Sequence, residues 1–127
     1  MFEPGSFRIM VTDANHRIRD FLKRELEQEG YTVACISSGV EAYNCIRDAN
    51  CFDLVILDPE LLVPYDHSLL WKVIKQNGPP RIIIHAYADF LPELKSSDTL
   101  RIVEKNASSI AVLKEEVRRC YSLMEGT

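Results

Sequence analysis

Five short apolar runs alternating with segments of helical periodicity predict an α/β fold built on a doubly wound, five-stranded parallel sheet. Three observations carry that expectation. The run Leu54-Val55-Ile56-Leu57 shows no polar alternation, as a strand covered on both faces requires. The segments joining the runs are short and mostly helical in pattern, which suits crossovers between parallel strands. At 127 residues the chain is near the commonest size of one domain and can bury one core without staples.

The elements follow in order. Arg8-Ile9-Met10-Val11-Thr12 reads as the first strand and stops at Asp13-Ala14-Asn15, small polar residues that open a helix. From Arg17 to Glu29, Ile18, Phe21, Leu22 and Leu26 recur at helical spacing, and Gly30 terminates the helix by accepting a positive φ. Tyr31 to Ile36 favours a second strand; Ser37-Ser38-Gly39 breaks the pattern before Ala42, Tyr43 and Ile46 resume it as a second helix. Phe52 to Leu57 is the third strand, followed by a loop through Asp66 and His67 and a helix carrying Leu69, Leu70, Val73 and Ile74, closed by Gly78-Pro79-Pro80. Arg81 to His85 forms the fourth strand. The helix after it is short, because Pro92 interrupts the segment and Ser96-Ser97-Asp98 ends it. Leu100 to Glu104 is the fifth strand, and Ser108 or Ser109 caps a last helix with Ile110, Leu113, Val117, Cys120 and Met124 on one face.

This (βα)5 pattern implies the flavodoxin-like strand order 2-1-3-4-5, with the first and third strands side by side and the fourth and fifth flanking them. Ligands of such sheets lie at the carboxyl ends of the strands. Asp13, Asp58, His85 and Lys105 all stand there. Asp58 is either a nucleophilic carboxylate or a cap of the strand-to-helix loop.

Composition narrows the function. Hydrophobic residues make up 46% and charged residues 27%, as in an ordinary globular protein rather than a disordered one. A net charge of -4 gives no positive field to attract nucleic acid or anionic lipid, so no direct nucleic-acid role is expected. No run is long enough to span a bilayer, and Met1 to Ser6 lacks the features of a secretion signal, so a cytoplasmic location with no membrane partner is expected. Cys35, Cys45, Cys51 and Cys120 show no C-x-x-C spacing and read as reduced packing residues; His16, His67 and His85 show no zinc-ligand spacing relative to them. Tyr65 and Trp71 read as core or half-buried packing, and Arg17, Arg19, Lys23 and Arg24 as a solvated helix face interleaved with acids.

From Arg8 to about Tyr121 the chain resembles the receiver domains of two-component response regulators, which makes residues 1–127 a single receiver domain. The resemblance is carried by Asp13, Asp58 and Lys105 at the ends of the first, third and fifth strands, and by Arg17 to Leu22, Glu29-Gly30-Tyr31, Gly39 with Glu41-Ala42, and Asp53 to Asp58. It implies that Asp58 accepts a phosphoryl group from a histidine kinase or phosphotransfer protein and that Lys105 pairs with the phosphoryl oxygens. It further implies that Mg2+ bridges Asp13, Asp58 and the backbone carbonyl of Glu60, and that a downstream target or output domain, or a second copy in a homodimer, reads the result. Phosphoryl transfer asks mainly for positioning and charge neutralisation, which hard oxygens, magnesium and a lysine supply.

The chain departs from that family at several positions. Ala14 stands where a second acid normally contacts the metal, so Mg2+ binding is expected to be weak unless the register shifts to make Thr12 and Asp13 the pair. His85 replaces a threonine or serine; its imidazole either donates to phosphate or packs beside the site. Asn106 replaces a proline after the lysine, Ile102 an aromatic switch residue, and Pro64 with Asp66-His67 suggests a one-residue insertion. Two functions are therefore expected as alternatives: a working receiver, at most catalysing its own phosphoryl transfer and hydrolysis, or a phosphorylation-independent pseudo-receiver acting as a protein-binding module. A phosphatase of the haloacid dehalogenase type is disfavoured, since Glu60 and Leu62 do not fit its motif. Nothing after Met124 reads as an output domain, so the chain is a stand-alone regulator or a piece of a larger one.

Overall fold

The computed structural model describes residues 6–48, 51–61, 75, 80–90 and 100–125. Strand β1 (Arg8–Thr12) leads to helix α1 (His16–Gln28), β2 (Thr32–Ile36), α2 (Gly39–Arg47) and β3 (Leu54–Leu57). A turn of 3-10 helix at Pro59–Leu61 follows. Then come β4 (Arg81–Ala86), a second 3-10 turn at Ala88–Phe90, β5 (Leu100–Glu104) and α3 (Ser109–Glu125). All five strands are parallel in the order β2-β1-β3-β4-β5, the order that the alternation of apolar runs predicts.

The unbroken apolar runs have a direct consequence. Side chains alternate across a strand, so a run without polar residues feeds two cores at once. Ile9 and Val11 of β1, Leu54 and Ile56 of β3, and Ile83 of β4 join Leu22 and Leu26 of α1 and Leu113 and Val117 of α3 on one face. Met10, Val55, Leu57, Ile82 and Ile84 point the other way, onto Ala42 and Ile46 of α2. At the amino-terminal edge of the sheet, Phe7, Tyr31 and Tyr121 pack with ring centroids 5.5 to 6.0 Å apart, and Arg8 is tied to Asp53 through its backbone N–H (2.8 Å) and guanidinium (3.3 Å). That edge is closed by packing, which leaves chemistry to the opposite one.

Boundaries shift by a few residues for local reasons. Helix α2 begins at Gly39, three residues before Ala42, because the Ser38 hydroxyl caps it by accepting from the Glu41 N–H at 3.3 Å. β3 starts at Leu54 rather than Phe52, with Asp53 held by Arg8. β4 runs one residue past His85, since Ala86 still pairs with Glu104. Gly30, at φ 99°, ends α1 as expected: its N–H donates to Glu27 O and that of Tyr31 to Leu26 O, a Schellman closure. The helix expected through Leu69, Leu70, Val73 and Ile74, the loop with Pro64, Tyr65, Asp66 and His67, Trp71, and the segment from Pro92 to Asp98 lie outside the described residues. Among the described residues, no helix is long and apolar enough to cross a membrane.

Candidate functional site

The sheet register brings the sequence-predicted residues together. Thr12 pairs with Leu57 at the ends of β1 and β3, so Asp13 and Asp58 leave the sheet as neighbours. Ala86 pairs with Glu104 at the ends of β4 and β5, so Lys105 leaves on the same edge. Its Nζ lies 2.7 Å from Asp13 Oδ2 and 2.8 Å from Asp58 Oδ2. Both aspartates are 2% exposed and Lys105 7%, so the triad is a buried ion cluster rather than a surface pair.

Backbone contacts hold each carboxylate. Asp13 Oδ1 accepts from the Asn15 N–H at 2.9 Å, and Asn15 Oδ1 in turn caps α1 by accepting from Arg17 and Ile18. The Arg19 guanidinium reaches back one helical turn to the carbonyls of Asp13 (2.6 Å) and Ala14 (3.3 Å), fixing the loop from outside. The Asp58 N–H lies 3.3 Å from both the hydroxyl and the carbonyl of Thr12, whose own hydroxyl donates to Ile56 O at 3.1 Å. Asp58 Oδ1 accepts from the Glu60 N–H at 3.0 Å. One oxygen of Asp58 thus organises the turn at Pro59–Leu61, as the capping expectation has it, and the other faces the lysine.

The charges are unequal in their balance. Burial pushes the Lys105 pKa down, but its contacts with Asp13 and Asp58 outweigh that, and the net effect raises it above the ordinary lysine value. The ammonium donates a hydrogen bond to Asp58 Oδ2 and is paired at 2.7 Å with Asp13 Oδ2, so one cation serves both carboxylates. The ring of Tyr87 covers the ammonium with its centroid 5.3 Å away.

His85, 4% exposed, stands beside this cluster but is bonded elsewhere: its Nε2 lies 3.0 Å from the Ser109 hydroxyl. Burial first, and the neighbouring Lys105 charge second, lower its pKa from 6.5 to about 4, with Asp13 opposing. The imidazole is therefore neutral at physiological pH, which removes the option of a charged ring beside Lys105. Ile102, standing at the aromatic position of the family, is half-buried against the α2-side core.

Three residues of this site carried no role in the sequence reading. Arg19 was one of four interleaved basic residues, Tyr87 followed a strand without a motif, and Ser109 was only a candidate cap. Their contacts depend on the fold, and their spacing carries no signal; Asn15 could have been found, since a small amide just before a periodic segment is an N-cap signature.

For a metal, the donors gathered at the lysine are hard: the Asp13 and Asp58 carboxylates. Among the described residues no group of three or more His, Cys, Asp or Glu side chains gathers as a metal site. The two carboxylates suit a small hard cation that keeps most of its water, which would share them with the Lys105 ammonium.

No family model and no curated protein sequence matches the chain. Solved structures do. The response regulator protein TrrA of Thermotoga maritima, in complex with Mg2+ and BeF, is 31% identical over 89% of this chain and 97% of its own, with a TM-score of 0.70. TrrA in complex with the histidine kinase ThkA is 29% identical over 89% and 97%, with a TM-score of 0.63. The receiver domain of Francisella response regulator 1452 is 25% identical over 92% and 98%, with a TM-score of 0.70. A doubly wound sheet with an acid pair and a lysine at its carboxyl edge defines a class, and with these likenesses the chain belongs to the response regulator receiver domains of two-component signalling.

Proposed function

We propose that this chain works as a phosphorylatable receiver, with Asp58 as the phosphoryl acceptor and a histidine kinase or phosphotransfer protein as donor. The observation that carries the reading is the single ammonium of Lys105 within 2.8 Å of a carboxylate oxygen on each of Asp13 and Asp58. Two acids held buried around one lysine at a sheet edge suit a reaction whose demand is charge neutralisation. With Oδ1 fixed on the Glu60 N–H, Oδ2 of Asp58 is the oxygen that attacks phosphorus. The new O–P bond forms as the donor's bond to phosphorus breaks, the electron pair leaving with the donor, and Lys105 turns from the carboxylate to the phosphoryl oxygens. Asp13, Asp58 and the Glu60 carbonyl would hold Mg2+, which supplies further charge neutralisation when bound. The ThkA complex of TrrA supports a kinase partner, and the Mg2+-BeF complex supports the metal.

Incubation with Mg2+ and a small acyl phosphate is expected to add one phosphoryl group by intact mass, and Asp58→Asn to abolish it. An unmodified wild-type mass at saturating donor and metal rejects the reading. Ala14→Asp restores a carboxylate beside the pocket and is expected to tighten Mg2+ about tenfold in a calorimetric titration, a gain of roughly 1.4 kcal/mol. Unchanged affinity would mean that position 14 does not face the ion.

A second reading, a pseudo-receiver that binds partners without phosphorylation, is favoured by one contact. The Nε2 of His85, at the position where receivers carry a threonine or serine, is engaged by Ser109 and so is not free to meet a phosphoryl oxygen.

A further inference from the structure

The segment that delivers Lys105 lacks the family's proline, and a buried hydroxyl stands in the place where stiffness is needed. The Lys105 N–H donates to Ala86 O at 2.8 Å, so sheet bonding extends to the lysine itself. Beyond it the chain turns through residues 106–108 and enters α3 at Ser109, which is 7% exposed. The Asn106 carbonyl accepts from both the hydroxyl (3.0 Å) and the N–H (3.2 Å) of Ser109. Asn106 Oδ1 takes the N–H (2.9 Å) and the hydroxyl (3.0 Å) of Ser108. The turn is thus bonded at its backbone and its side chain.

Proton counting links this turn to β4. A serine hydroxyl carries one proton, and a carbonyl can only accept. Once Ser109 gives its proton to Asn106 O, its oxygen can only accept from His85, so Nε2 of the imidazole bears the ring proton. Nδ1 is left unprotonated, and among the described residues it is buried without a hydrogen-bond partner. A buried polar atom left unpaired is destabilising, a cost that a purely apolar filler would avoid. The return on that arrangement is the bond from β4 to the lysine turn.

We propose that Ser109, held by His85, is the positioning residue of Lys105: its hydroxyl clamps the Asn106 carbonyl so that the ammonium spans Asp13 and Asp58. The consequence for phosphoryl transfer rests on Asp58 being the acceptor; the clamp on the ammonium does not. Ser109→Ala removes the donor to Asn106 and strands His85 Nε2, whereas Ser109→Thr keeps the hydroxyl.

Two readouts separate these claims. The side-chain ammonium of Lys105, buried and ion-paired, is expected to give an observable slowly exchanging signal by 15N NMR of lysine-labelled protein. Ser109→Ala is expected to lose that signal to fast exchange and Ser109→Thr to keep it. Phosphorylation by a small acyl phosphate with Mg2+ is expected to slow about tenfold to a hundredfold in Ser109→Ala, the loss that a displacement near 1 Å brings, and to stay close to wild type in Ser109→Thr. A folded Ser109→Ala protein with an unchanged ammonium signal overturns the clamp, and so does equal loss in both variants. If Ser109→Ala does not fold, Ser109→Cys, a much weaker donor, takes its place under the same criteria. A wild type that is never phosphorylated refutes the acceptor role of Asp58 while the ammonium signal still decides the clamp.

Discussion

Replacing Lys105 with methionine is expected to cost about 3–5 kcal/mol of folding stability, the penalty of removing one partner from a buried charge cluster. The aspartate side chains it neutralises are 3% and 2% exposed, and the lysine side chain 5%, so water cannot take over its role. Without it, the two carboxylates face each other across the end of β1 and β3. That loss is a large part of the roughly 5–15 kcal/mol that holds a domain together. Urea unfolding measures it directly, and a second arm tests the cause. Mg2+ is expected to stabilise Lys105→Met more than wild type, because a cation that enters the pocket no longer competes with the ammonium. Arg118→Ala serves as the contrast: its pair with Glu29 is 60% and 32% exposed, and an open ion pair of that kind is worth about 0–1 kcal/mol. A Lys105→Met cost no larger than that of Arg118→Ala would mean the cluster behaves as a solvated pair. Because the Lys105 pKa is raised, its contribution is fully present below the ordinary lysine value and fades only as pH rises through the raised one. Acid sensitivity must therefore come from another group.

Asp13 and Asp58 were legible in the sequence because each directly follows a run of residues buried on both faces, and such runs have sharp ends; Lys105 follows a partly exposed strand that the alternation of elements still placed. β1 and β5 begin and end where the apolar pattern does. What escaped was set by contacts between distant segments. Ser37-Ser38-Gly39 read as an interruption, although Ser38 followed by Glu41 is a capping signature and the helix starts at once behind it. Arg19 looked like one charge among four because sequence spacing shows which helix face a residue occupies but not how far its side chain reaches back over the preceding turn. The His85 and Ser109 contact joins residues 24 apart through the fold, and no spacing rule encodes it. The sequence could say that His85 stood at the site; only the packed structure says which hydroxyl its ring meets.

His85 supplies the acid response. In the folded protein it binds a proton only below about 4, whereas the same ring in the unfolded chain does so from 6.5. Between those values the unfolded state holds the extra proton, so stability rises with pH across the window and falls as the solution is acidified. Integrated over the window, the loss is about 3 kcal/mol, complete once the pH lies below both values. Urea unfolding at a series of pH values measures the slope, and His85→Thr isolates it. The variant removes the titrating ring, so its curve is expected to run flatter than wild type between about 6.5 and 4 by the share of one proton, while the common background from carboxylates persists. Parallel curves would mean that the imidazole is solvated and free to protonate in the native state. The same titration bears on chemistry. A protonated ring would keep its Nε2–H bond to Ser109 but place a second positive charge beside Lys105 and a proton on the buried Nδ1, so the native arrangement favours the neutral ring. Phosphorylation of the wild type is therefore expected to decline with falling pH more steeply than that of His85→Thr, with the difference confined to the interval in which the folded ring begins to titrate.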